Sequence, residues 1–291
     1  MYELNDTTLP VGDALAVFAD LIAQIERLVA SDRSSTGLAG DAFQPAMRGA
    51  QRYFAAICRR LLLPGSAVIG FENLAELTRL ADTGCACLLC LNHLSTLDVP
   101  TLYTLIEDQA DPGVFDRIVW IAGRKLSEDH GLTPILARCF HRVVVTQKSW
   151  MARCCSDQEL REARRLNWRA YRTMRRLRRE GWVIGLFPTG TRLRPGDEAT
   201  ARAVDEIDSY LKYSDYLVLG NIDGCTLPVT RDHDLTREIP RSDRVVYTFG
   251  PVVRCADVRV RAAGRHPTLN QRAASARAII DDILALRSSP D

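Results

Sequence analysis

From about residue 65 onward the chain alternates short apolar runs with longer amphipathic ones, and this rhythm limits its folds more than any other feature. The short runs, 67–71, 86–91, 118–122, 143–146, 182–187, 226–230 and 245–249, predict strands. Between and after them, segments near 73–82, 97–108, 126–140, 157–180, 199–212 and 269–287 carry apolar residues at helical spacing. Such alternation predicts an α/β fold, a mixed and mostly parallel sheet flanked by helices. Ahead of it, 14–29 and 45–63 read as amphipathic helices, the second stopped by Pro64-Gly65. The expected division is an N-terminal helical cap over 1–65 and an α/β domain over 66–291, with no internal repeat or low-complexity linker.

Composition narrows the class of protein. With 46% hydrophobic and 25% charged residues the chain is neither a disordered polymer nor a polytopic membrane protein. No window of about 18 apolar residues could span a bilayer, and the first residues, MYELNDTTLPVGD, carry acids where a secretory signal carries positive charge. A cytoplasmic, non-spanning protein is expected. The nine cysteines are an odd number without a signal peptide, which argues against a disulfide framework. Cys85, Cys87, Cys90 and His93 form a C-x-C-x2-C-x2-H run with a superficial likeness to a zinc site. A strand there would point Cys85 and Cys87 to one side and Cys90 to the other, so the ligands would not converge, and no metal is expected.

Chemistry concentrates at the ends of two predicted strands. The first runs into Asn92-His93-Leu94-Ser95-Thr96-Leu97-Asp98. A carboxylate that holds one imidazole nitrogen protonated leaves the other free to take a proton, which is what a general base requires. On a continuous helix His93 and Asp98 would lie about 140° apart, so a loop-to-helix junction must bring them together. The same residues fit a structural account, because Ser95-x-x-Asp98 has the capping-box spacing and Asp98 could cap a helix carrying Pro100. The second strand ends in Pro188-Thr189-Gly190-Thr191-Arg192-Leu193-Arg194-Pro195-Gly196, a punctuated turn with arginines at alternate positions. Backbone amides backed by guanidinium forks make a phosphate cradle. Sites of α/β proteins assemble at the carboxyl ends of strands, where both motifs fall.

All but three of the 38 basic residues are arginine, although the net charge is only +2. Arg161, Arg164, Arg165, Arg169, Arg172, Arg175, Arg176, Arg178 and Arg179 crowd the 157–180 segment around an apolar stripe of Leu160, Ala163, Leu166, Ala170, Met174 and Leu177. Such a face is either a solvated helix surface or a docking face for anionic lipid, an acidic carrier protein or nucleic acid.

Asn92-His93-x4-Asp98, followed by Phe187-Pro188-Thr189-Gly190-Thr191-Arg192, resembles the glycerolipid acyltransferase family of 1-acylglycerol-3-phosphate and glycerol-3-phosphate acyltransferases. Gly123-Arg124-Lys125-Leu126, with Pro134 downstream, is similar to the family's second block, and Thr226-Leu227-Pro228-Val229 to its fourth; Phe71-Glu72-Asn73-Leu74 is similar to a common lead-in. The blocks occur in family order over about 68–230. One position departs: Thr189 stands where most members have glutamate.

The resemblance implies direct acyl transfer from acyl-CoA or an acyl carrier protein to a hydroxyl, with no cofactor, no metal and no covalent enzyme intermediate. His93 would be the base and Asp98 its support. Arg192, Arg194, Gly190, Thr191, Thr189 and Lys125 would bind a lipid acceptor carrying a phosphate. A cysteine nucleophile at Cys90 is the competing route, disfavoured because an apolar strand raises a thiol pKa. The paired arginines keep glycerol-3-phosphate open beside lysophosphatidate as acceptor. A basic nucleic-acid-binding protein is the distant alternative; only Trp168 and Tyr171 interleave the helix arginines, and no nucleic acid is expected. The resemblance further implies peripheral contact with an anionic membrane at the inner face of the cell membrane.

Overall fold

The computed structural model describes residues 14–31, 42–124, 136–152, 156–230 and 238–287. The first half contains α1 (Ala14–Ser31), β1 (Phe43–Gln44), α2 (Arg48–Leu61), β2 (Ala67–Ile69), α3 (Phe71–Asp82), β3 (Cys87–Leu91), α4 (Asp98–Gln109), α5 (Pro112–Phe115), β4 (Ile118–Gly123) and β5 (Arg142–Val145). The second contains α6 (Lys148–Met151), α7 (Asp157–Arg179), β6 (Val183–Leu186), a 3-10 turn at Glu198–Ala201, α8 (Ile207–Lys212), β7 (Tyr216–Asp223), β8 (Val246–Phe249), β9 (Val253–Arg254), α9 (Cys255–Arg265) and α10 (Gln271–Leu284).

The strands form one sheet in the order β1-β5-β4-β6-β3-β7-β8-β2, with β9 also on β7. From β5 to β7 every neighbouring pair is parallel, whereas β1, β8 and β9 join antiparallel to their partners on that run. The fold is therefore a mixed, mostly parallel α/β sheet. β3 lies at its centre, and all five of its residues are buried, as a strand covered on both faces requires. Alternate side chains feed two cores: Cys87, Leu89 and Leu91 meet Leu74, Leu77, Leu102 and Phe54, while Leu88 and Cys90 meet Leu166, Leu177, Ile279 and Leu217. Helices α1 to α5 cover the first face and α7 to α10 the second. Phe18 and Ile25 of α1 belong to the first core, and β1 lengthens the sheet beside β5.

Two sequence expectations are corrected. Residues 226–230 form no strand; the strand after α8 is β7, at Tyr216–Asp223. Pro228 lacks the N–H a ladder needs, while β7 supplies eight residues that pair with β3 on one side and β8 and β9 on the other. The 199–212 segment is a 3-10 turn followed by the short α8 rather than one helix. α7 obeys the sequence pattern closely. Ser156 Oγ accepts from Glu159 N at 3.2 Å, with acids in the first turn and Arg176, Arg178 and Arg179 in the last, so caps and charges agree with the helix dipole. Its arginines are not all outside, however. Arg178 is buried, donates to Ser214 Oγ at 3.2 Å, and has its pKa lowered by that burial.

Candidate active site

His93 leaves the end of β3 and Asp98 begins α4, so the turn between them closes on itself. Asp98 Oδ2 lies 2.8 Å from His93 Nδ1 and accepts from Leu94 N at 2.8 Å and Ser95 N at 3.0 Å. Ser95 Oγ in turn accepts from Leu97 N at 3.0 Å. The capping account holds only in part: Ser95 N donates to Asp98, but Ser95 Oγ is taken by Leu97 N and the N-cap of α4 is Leu97, which makes no side-chain cap bond, so Asp98 is the first helical residue and not the cap. A carboxylate can only accept, so Nδ1 carries the proton and Nε2 is the basic nitrogen. Nε2 has no hydrogen-bond partner among the described residues. The His93 side chain is 20% exposed and that of Asp98 only 4%, a base open to a substrate above a sheltered counter-charge.

Aromatic packing fixes the imidazole plane. Phe187, directly after β6, stacks on His93 with centroids 3.9 Å apart and planes 13° apart. Trp120 of β4 stacks on Phe187 from the other side at 5.5 Å. The rings come from β4, β6 and β3, adjacent in the sheet, and form a column across it. Gly185 makes room for that column, since a Cβ there would lie 2.9 Å from both Ile118 and the Trp120 ring.

The arginine turn follows β6 and is tied to the histidine loop. Leu193 N donates to His93 O at 2.7 Å, and Arg192 Nη1 donates to Thr96 Oγ1 at 2.8 Å. Arg192 also pairs with the buried Glu238 at 2.7 Å. Thr189 Oγ1 donates to Thr191 O at 2.5 Å, so its hydroxyl shapes the turn. Gly190 is exposed at φ +63°, left-handed backbone that favours glycine, and its carbonyl accepts from Gln147 Nε2 at 2.6 Å. Arg194 N donates to Thr200 Oγ1 at 2.9 Å, but its side chain shares none of the contacts that hold Arg192. The 226–229 block lies near the same loop, where Cys225 Sγ approaches Leu94 O at 3.9 Å. Lys125, Leu126 and Pro134 fall outside the described residues.

The site therefore brings together His93, Asp98, Thr189, Gly190, Thr191 and Arg192, with Arg194 beside them. Sequence reasoning missed Glu238, Thr96 and Trp120 as parts of the assembly. Cys90 sits on the opposite face of β3 from the Cys87–Leu89–Leu91 row, fully buried, and burial pushes its thiol well above the ordinary range. A thiolate nucleophile is not available there.

No curated protein matches the chain in sequence. Among solved structures it is similar to the 1-acyl-sn-glycerophosphate (LPA) acyltransferase PlsC from Thermotoga maritima. That match has a TM-score of 0.45 and 14% identity, covering 97% of this chain and 98% of that one. Residues 67–205 match the family model described as Acyltransferase, a span that runs from β2 through His93 and Asp98 to beyond the arginine turn. Over that span the chain carries an acyltransferase domain, that of an acyltransferase enzyme.

Proposed function

We propose that the protein transfers a fatty acyl group from a thioester, acyl-CoA or acyl carrier protein, to the free hydroxyl of 1-acylglycerol-3-phosphate, a step of phospholipid synthesis. The observation that carries this is the joining of two strand ends: a histidine with its Nδ1 on Asp98, and an arginine turn fastened to the same loop. His93 Nε2 takes the hydroxyl proton as the oxygen attacks the thioester carbonyl. The carbon–oxygen bond forms, the carbon–sulfur bond breaks, and the proton passes to the departing thiolate. Asp98 stabilises the imidazolium in between. General-base help of this kind is worth on the order of 10²–10⁴ in rate. Arg192 supplies guanidinium donors to the acceptor phosphate, a role for which lysine lacks the fork. Arg194 and Lys125 are further candidates for phosphate or carrier contact. The route uses no cofactor and no metal.

Glycerol-3-phosphate is the second acceptor, favoured by the paired arginines at 192 and 194. Offering both acceptors to the purified enzyme with acyl-CoA and with acyl carrier protein, and identifying products by mass, tests both. Phosphatidate made from lysophosphatidate supports the first reading. Transfer to glycerol-3-phosphate alone supports the second, and transfer to neither removes both.

The setting of the reaction belongs to the same proposal. No helix among the described residues is long and apolar enough to cross a membrane. The exposed face of α7 instead presents Arg161, Arg164, Arg165 and Arg172 around Trp168, which is 59% exposed and has the Arg172 guanidinium 4.8 Å from its ring. Cations with an interfacial aromatic suit peripheral contact with anionic lipid on the cytoplasmic side, where lipid acceptor and product reside. An acidic acyl carrier protein is the other partner such a face attracts.

A further inference from the structure

Among the described residues, every side-chain contact of Arg192 runs through one nitrogen. Nη1 lies 2.8 Å from Thr96 Oγ1 and 2.8 and 2.7 Å from the two oxygens of Glu238. The Glu238 side chain is 1% exposed and that of Arg192 14%. A carboxylate so far from water keeps its charge only beside a cation. Glu238 is 46 residues along the chain from Arg192, so the contact is made by the fold and not by the turn. Within the turn itself no carboxylate is at hand. Thr189 offers only a hydroxyl, and that is engaged by Thr191 O.

We infer that Glu238 is a positioning residue that confers selectivity for phosphorylated acceptors. Together with Thr96 it fixes Nη1, and the edge formed by Nε and Nη2 remains to receive the acceptor phosphate in a two-pronged grip. Phosphate and Glu238 share the guanidinium without competing, because displacing Glu238 would strand a buried carboxylate without a cation. This rests on Arg192 being the phosphate ligand, so the test includes that residue.

The measurement compares lysophosphatidate with monoacylglycerol, its phosphate-free counterpart, at saturating acyl-CoA. Full-length wild type, Glu238→Gln, Glu238→Asp, Glu238→Ala, Arg192→Ala and the Arg192/Glu238 double alanine variant are assayed. Glu238→Ala is expected to raise the lysophosphatidate KM roughly tenfold or more, since a slackened guanidinium loses its aim. The donor KM should change little, and the monoacylglycerol rate should fall by less than the rate with lysophosphatidate. Glu238→Asp keeps the buried charge but withdraws it by one methylene, and the same loss of selectivity is expected. Glu238→Gln retains an oxygen for Nη1 and should stay within about threefold of wild type. The double variant should be no worse than Arg192→Ala.

A lower lysophosphatidate KM in Glu238→Gln would make the carboxylate a competitor and overturn the inference. Equal losses with both acceptors would overturn it too, reducing Glu238 to support of the fold. Unchanged selectivity in Arg192→Ala, or no transfer by the wild type, would remove the phosphate-site assignment itself.

Discussion

One oxygen, Asp98 Oδ2, meets two backbone N–H groups and the imidazole Nδ1, and this sets what a substitution there can reveal. Asp98→Ala would orphan the N–H groups of Leu94 and Ser95 and cost stability as well as activity, about 1–3 kcal/mol for each buried donor left unpaired. Asp98→Asn keeps an oxygen for the backbone while removing the charge that supports an imidazolium. The variant is expected to melt near wild type, with kcat lowered by roughly 10²-fold or more; His93→Ala should fall by a similar or larger factor. Turnover close to wild type in His93→Ala, measured with either thioester donor, would remove the general base. The contact between these residues was legible in the sequence because they are local: one strand end, one turn and one helix start. The Arg192–Glu238 pair was not, since nothing in the periodicity around Glu238 announces a buried anion, and only tertiary folding brings it to Arg192.

At the level of elements, the site depends on three neighbouring strands, with Trp120 within β4 and Phe187 and His93 just beyond the ends of β6 and β3 in one stack. Gly185, opposite Trp120 in the β4–β6 register, is what allows the indole to lie across β6. Gly185→Ala is therefore expected to cost about 1–3 kcal/mol through overpacking and to lower kcat by tilting Phe187 against the imidazole. Thermal unfolding combined with steady-state kinetics checks this. An unchanged melting point together with unchanged kcat would show that the stack tolerates displacement. The strands that build this stack were readable because each is a short run dominated by large apolar residues. β7 was not, because Gly220 and Asn221 resemble a turn in sequence. In the fold Gly220 occurs where a Cβ would overlap Leu91 and Phe249, and Asn221 is fully buried, donating to Asp223 Oδ2 at 2.8 Å. Conversely 226–230, apolar and rich in β-branched residues, looked like a strand and is not one.

Across the whole molecule the sheet separates two kinds of chemistry. The His93 column packs on the face covered by α1 to α5, and the arginine helix α7 lies on the other. Membrane attraction is the use proposed above for that basic face. The magnitudes decide which residues matter for it. Each arginine near an anionic surface contributes roughly 1 kcal/mol, so Gln at Arg161, Arg164, Arg165 and Arg172 together should weaken vesicle binding by about 4 kcal/mol, roughly three powers of ten. Trp168→Ala removes one interfacial ring and should weaken it far less. Because the attraction is screened, binding to vesicles containing phosphatidylglycerol should be strong at low ionic strength and lost near about 1 M salt, where the Debye length is only ~3 Å. Co-sedimentation across a salt series measures this directly. Retention at high salt by the fourfold Gln variant would place the anchor on an apolar surface instead, while activity on acceptor dispersed in detergent should be unchanged in that variant, since none of its four positions touches the site.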